Sequence, residues 1–171
     1  MSRSIGIFDS GIGGLSILKS LARKAVNENY IYLADNKNCP YGNKSENEIS
    51  KLSIKNCEKL IELNCKMIIV ACNTATTNSI NILRKQFDIP IIGIEPGIKP
   101  AINYTKTKNI GVLATNKTLS SKLFNENLLT NNMNKINVHE QIGHDLVELI
   151  EDGIENEEKL NEYINKYLNN M

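Results

Sequence analysis

The chain has 171 residues, of which 41% are hydrophobic and 23% charged, enough for one good-sized globular domain or one and a half small ones. A formal net charge of +1 gives no electrostatic case for nucleic acid or an anionic membrane, and no apolar run approaches the ~20 residues of a membrane span. The N-terminus enters a strand pattern after a single Arg3, without a signal-peptide pattern, and Cys39, Cys57, Cys65 and Cys72 follow no zinc-ligand spacing, so the reading is a reduced, cytoplasmic chain without a metal.

Ile5 to Phe8 reads as a first strand. Asp9-Ser10-Gly11-Ile12-Gly13-Gly14 follows, then a helical pattern at Leu15, Leu18, Leu21, Ala22 and Ala25. Glycines in such a turn let backbone N–H groups approach a ligand, and the helix start favours an anion. A phosphate-binding module is the rival reading, but the Lys-Ser/Thr ending of a P-loop is absent. Tyr30 to Ala34 makes a second strand, ending in Asp35 and a turn-rich loop with Cys39-Pro40-Tyr41-Gly42. Ser45 to Asn64 is the longest helix, opened by a Ser45/Glu48 capping box, with Cys57 on its apolar face and Cys65 in the turn beyond.

The stretch Met67 to Ala71 reads as a buried strand ending in Cys72. Asn73, Thr74 and other small polar residues come next, followed by a helix-like run from Ser79 to Phe87. The C-terminal ends of parallel strands are where open α/β sheets bind ligands, and a helix start there favours a thiolate. Ile89 to Ile94 is a fourth strand, and Glu95-Pro96-Gly97 suits a hinge.

A second unit begins near Lys99 with a short helix, Ala101 to Tyr104. A strand from Ile110 to Ala114 ends in Thr115, and Thr118 is placed as the cap of a helix holding Leu119, Leu123 and Phe124. Ile136 and Val138 mark a weak strand, Leu146 to Gly153 a short helix, and Leu160, Tyr163, Ile164, Tyr167 and Leu168 the stripe of a last helix. The expected fold is α/β: parallel sheet with helices on both faces, in two similar domains, residues 1–97 carrying Cys72 and residues 98–171 forming an incomplete second.

The strand ends gather one thiol, one carboxylate, several hydroxyls and an amide: Asp9, Ser10, Tyr41, Gly42, Cys72, Asn73, Thr74, Thr115 and Thr118. Neither cation nor His/Cys cluster joins them, and His139 and His144 lie in the second unit. Cys72 therefore reads as a proton carrier, a general base held against a carbon acid, rather than a nucleophile. The neutral donors suit small carboxylates.

The segments IGIFDSGIGGLSIL, DNKNCPYG, IIVACNTATT, IPIIGIEPGIKPA, GVLAT and LVELIEDG, spread over residues 5–153, resemble glutamate racemases of the aspartate/glutamate racemase superfamily. The resemblance implies cofactor-independent interconversion of L- and D-glutamate for peptidoglycan synthesis, by two thiols on opposite faces of the substrate, in a homodimer. It implies that Cys72 removes the proton from D-glutamate, with Asp9 as the acidic residue near that thiol. Ser10, Tyr41, Gly42, Asn73 and Thr74 match substrate contacts, Thr115 and Thr118 hydroxyls at the carboxylates, and Asp35 and Glu151 carboxylates of secondary importance.

The family's second motif, a Gly-Cys-Thr-His segment, is not among these residues, and Lys117 stands where a glycine is usual before Thr118. The expectation is a truncated portion that does not racemise glutamate by itself. The alternatives are a related aspartate or hydantoin racemase or maleate isomerase, and a non-catalytic protein that binds a dicarboxylate or a partner.

Overall fold

The computed structural model describes residues 3–131, 136–153, 157–169 and 171. It forms two compact units, Met1–Glu95 and Pro96–Met171.

The first unit is built on a four-stranded parallel sheet in the order β2-β1-β3-β4, with β1 Ser4–Asp9, β2 Tyr30–Ala34, β3 Cys65–Val70 and β4 Ile91–Gly93. Helices α1 (Leu15–Lys24), α2 (Glu46–Glu62) and α3 (Asn73–Gln86) connect the strands. Alternation along the strands divides the side chains between two faces. Ile5, Ile7, Ile69 and Ala71 point to one face, where Ile17, Leu18 and Leu21 of α1 cover them. On the other face Gly6 lies so close to Leu60 and Cys65 that a Cβ there would stand 3.0–3.2 Å from their side chains. There α2 meets α3 through small polar groups, with Ser79 Oγ 3.1 Å from Ser53 Oγ and donating to the Ala75 carbonyl at 2.7 Å. The Ser45/Glu48 capping box forms as the spacing predicts.

Several boundaries differ from the sequence reading. Cys65 opens β3 as a fully buried residue instead of lying in the preceding turn. Helix α3 starts at Asn73, six residues before the predicted Ser79. Three β-branched threonines there lower helix propensity, but tertiary packing buries Thr74, Thr76 and Thr77 and overrides it. Strand β4 is shorter than predicted, covering Ile91–Gly93 only.

The second unit has a two-stranded parallel sheet, β5 Asn109–Ala114 with β6 Asn137–Ile142. Its helices are α4 Ile98–Tyr104, α5 Asn116–Leu119, α6 Lys122–Asn131, α7 Leu146–Glu151 and α8 Glu157–Leu168. Ile98, Ile102, Ile110, Leu119, Phe124 and Ile136 form its core. The cap of α5 is Thr115 and not Thr118: the Thr115 hydroxyl accepts from the Thr118 amide at 3.2 Å, and Thr118 lies inside the helix. A β-region residue at the strand end satisfies the orphan N–H groups of the first turn, which Thr118, already helical, cannot do.

Candidate active site

The parallel register brings three strand ends of the first unit to one rim. The Asp35 amide donates to the Asp9 carbonyl at 3.0 Å, and the Ala71 amide to the Phe8 carbonyl at 2.9 Å. Asp9, Asp35 and Cys72 thus leave adjacent strands at the same level.

Asp9 is buried, and its carboxylate folds into its own glycine turn. Oδ2 accepts from the Gly14 amide at 3.0 Å and the Gly11 amide at 3.4 Å. An anion from within the chain therefore occupies amides that a phosphate module would offer to a ligand, which argues against that rival. The phenol of Tyr32 on β2 donates to the Gly11 carbonyl at 2.8 Å and pins the turn from the other side. A Cβ on Gly14 would stand 2.8 Å from Ala71 Cβ and 2.9 Å from both Asp9 Cβ and the Tyr32 hydroxyl, so this glycine is required by close approach.

Cys72 is the N-cap of α3 and only 6% exposed. Its Sγ accepts from the Ala75 amide at 3.4 Å and lies 3.5 Å from Ser10 Oγ. Burial pushes the thiol pKa up to about 11, helped by the negative charge of Asp9, while the Ala75 amide and Ser10 oppose the rise. At neutral pH the resting sulfur therefore carries its proton. The thiolate, once formed, has two hydrogen-bond donors and a helix N-terminus waiting for it. Thr74 is buried beside it in the first turn of α3, and Asn73 is exposed at the helix start.

Tyr41 is 1% exposed, so the Pro-Tyr-Gly segment is no plain surface turn. Tyr41 and Gly42 lie in a single-turn helix, Tyr41–Asn43, which follows another, Asn36–Asn38, across a cis peptide at Cys39–Pro40. The Tyr41 hydroxyl donates to Asp35 Oδ2 at 2.6 Å and accepts from Asn56 Nδ2 at 3.0 Å. Asn38 Nδ2 donates to Asp35 Oδ1 at 2.8 Å. Burial raises the Tyr41 pKa above the usual phenol range, and the hydrogen bond to Asp35 and the charge of Asp35 act in the same direction. Gly42 follows, half-buried.

In the second unit, Thr115 and Thr118 stand at the end of β5 with their hydroxyls 3.0 Å apart. Glu151 closes α7 and is half-buried. All four cysteines are free, and Cys57 is a core thiol whose pKa burial pushes up to about 12. The sequence reading overlooked Tyr32 and Asn56. Asn56 had a signal: it is an amide on the stripe of α2 that buries Ile49, Ser53, Cys57 and Leu60. The hydroxyl of Tyr32 had none, since its partner is a main-chain carbonyl 21 residues away.

A model of the Asp/Glu/Hydantoin racemase family matches residues 5–170. The chain belongs to this family. It is 41% identical over 167 residues to the glutamate racemase of Ralstonia pickettii, covering 98% of this chain and 59% of that protein. It is 45% identical to the glutamate racemase of Clostridium acetobutylicum, with 95% and 64% covered. The crystal structure of Escherichia coli glutamate racemase in complex with L-glutamate and the activator UDP-MurNAc-Ala superimposes with a TM-score of 0.86 at 32% identity, covering 98% of this chain and 65% of that one. The chain thus spans about three fifths of the length of the relatives it matches.

Proposed function

We propose that the chain is the part of a glutamate racemase that handles one face of the substrate, with Cys72 as the acid–base thiol. The observation that carries this reading is the setting of Cys72: a buried thiol at a strand end, capping a helix, with the Ala75 amide and the Ser10 hydroxyl at its sulfur. The α-proton of an amino acid is very weakly acidic, so its removal needs a desolvated base and donors for the carboxylate on which charge develops. In this reading the thiolate form of Cys72, a minor fraction at neutral pH, takes the α-proton of D-glutamate and becomes the thiol, with Asp9 beside it and Ser10 steadying the sulfur. The Tyr41-Gly42 segment, Asn73, Thr74, Thr115 and Thr118 bind the substrate, with Asp35 and Glu151 in secondary roles. The proton moves between carbon and sulfur, and the reading calls for no cofactor or metal. By the same resemblance it extends to a cytoplasmic homodimer that supplies D-glutamate for peptidoglycan.

Racemisation needs a proton donor on each face of the α-carbon, and this reading assigns Cys72 to one face only. The chain alone is therefore expected to exchange the α-proton of D-glutamate for deuterium without changing its optical sign. Proton NMR in D2O follows the exchange, and circular dichroism follows the sign. Exchange that survives Cys72→Ser would refute the assignment of the base. Substantial loss of optical activity would refute the one-face reading. Aspartate run in parallel separates glutamate specificity from that of the wider family.

A further inference from the structure

The buried polar cluster behind the Pro-Tyr-Gly segment has a member with no role so far. Asn56 stands on the inner face of α2, 7% exposed, surrounded by an otherwise apolar or small-residue stripe. Its Nδ2 reaches the Tyr41 hydroxyl at 3.0 Å and Asp35 Oδ2 at 3.4 Å. Tyr41 has a single hydroxyl proton and Asp35 Oδ2 lies 2.6 Å away, so that proton goes to the carboxylate. The remaining capacity of the hydroxyl is as an acceptor, and the Asn56 amide fills it. The cluster thus has one consistent hydrogen-bond direction, from Asn56 to Tyr41 to Asp35. It also fixes which end of the Asn56 amide faces the cluster, since both partners there accept.

We propose that Asn56 is a positioning residue that locks the Tyr41 phenol onto Asp35 and so holds the Tyr41-Gly42 segment at the rim. What the segment does there rests on the racemase reading; the lock itself does not. The Tyr41 hydroxyl is fully used between Asp35 and Asn56, so its phenol serves as an anchor, and any contact to substrate falls to the rest of the segment. The anchor ties the rim loop to a long, well-capped helix. Removing the donor leaves Tyr41 and the carboxylate a partner short in a buried site, which loosens the loop while α2 stays folded. The ionisable groups around Asn56 are Asp35 and Tyr41, and Cys72 adds a charge near Tyr41 only when it is a thiolate.

Two variants test this, Asn56→Leu and Asn56→Asp, with D-glutamate as the calorimetric probe and ring-labelled tyrosine for NMR. Wild type is expected to show a slowly exchanging Tyr41 hydroxyl proton, and Asn56→Leu to lose it while keeping its far-UV circular dichroism. Asn56→Leu is expected to bind D-glutamate about tenfold more weakly, the scale of one buried hydrogen bond. In Asn56→Asp the introduced carboxyl donates only when protonated, and its neighbour Asp35 raises its pKa. Its binding should therefore approach wild type at low pH and fall as pH rises through that carboxyl's titration, a profile that wild type lacks. Persistence of the hydroxyl proton in Asn56→Leu overturns the proposal, as does an Asn56→Asp profile that parallels wild type. If wild type binds no D-glutamate, the racemase reading fails, and the hydroxyl proton still decides the role of Asn56.

Discussion

Replacing Gly14 with alanine puts a methyl group where the turn has no room. Its carbon would lie 2.8 Å from Ala71 Cβ and 2.9 Å from Asp9 Cβ, against an ordinary carbon–carbon separation of about 3.5–4.0 Å. Both neighbours are Cβ atoms, rigid to the main chain at the ends of β3 and β1, so no rotamer change relieves them. The turn itself must move by most of an ångström. Overpacking of this kind costs about 1–3 kcal/mol. Movement also stretches the 3.0 Å bond from the Gly14 amide to the Asp9 carboxylate, and a hydrogen bond to a charged group contributes about 1.5–3 kcal/mol. The combined loss is about 2.5–6 kcal/mol, a large part of the roughly 5–15 kcal/mol that holds a typical domain. Gly13→Ala is the control from the same motif, since a Cβ there meets only Asp9 Oδ2 at 3.4 Å, an ordinary contact. It is expected to stay within ~0.5 kcal/mol of wild type. Urea unfolding followed by circular dichroism measures both. A Gly14→Ala variant within ~0.5 kcal/mol of wild type, or a Gly13→Ala variant equally damaged, would refute the steric reasoning.

Further outcomes follow from the same structure. Alkylation of Cys72 by iodoacetamide, read peptide by peptide in a mass spectrometer, should rise with pH to a midpoint near the thiol's pKa of about 11. Asp9→Asn removes a nearby negative charge that disfavours the thiolate, so it should move that midpoint down; an upward move or none counts against the electrostatic account. Gly93→Ala places a Cβ 2.6 Å from Thr76 Cγ2, whose rotamer is tied by a 3.1 Å bond from its hydroxyl to the Val70 carbonyl. It should cost about 1–3 kcal/mol, and adding Thr76→Ser, which removes that methyl, should return part of the loss in a double-mutant cycle. Ser45→Ala removes the N-cap of α2 and should cost about 1 kcal/mol by thermal unfolding; no change would mean that α2 is held by its packing alone.

The candidate site residues were legible to different depths. Asp9, Ser10 and Cys72 could be placed at strand ends because apolar runs stop there, and parallel strands necessarily align those ends. The same local logic found the Ser45 cap, since a capping box is contained within four residues. It misplaced the cap of α5, because Thr115 and Thr118 are both credible caps and only backbone conformation separates them. It also started α3 too late, because a run of threonines reads as non-helical until it is packed.

By itself the sequence determined the parallel α/β organisation of the chain, the order of its strands along it, and the set of polar residues that follow each strand, but it read α5 and α6 as one helix. Those properties follow from periodicity and turn chemistry, which act over a few residues at a time. Tertiary structure alone decided that Asp9 turns inward to fill its own glycine loop, and that Gly14 but not Gly13 is sterically required. It also decided that the Tyr41 phenol is spent on Asp35 and Asn56, and that Cys72 rests as a protonated thiol. Each of these depends on groups far apart in the chain that meet in a low-dielectric interior. There an unpaired polar atom or a misplaced methyl costs more than any local preference supplies.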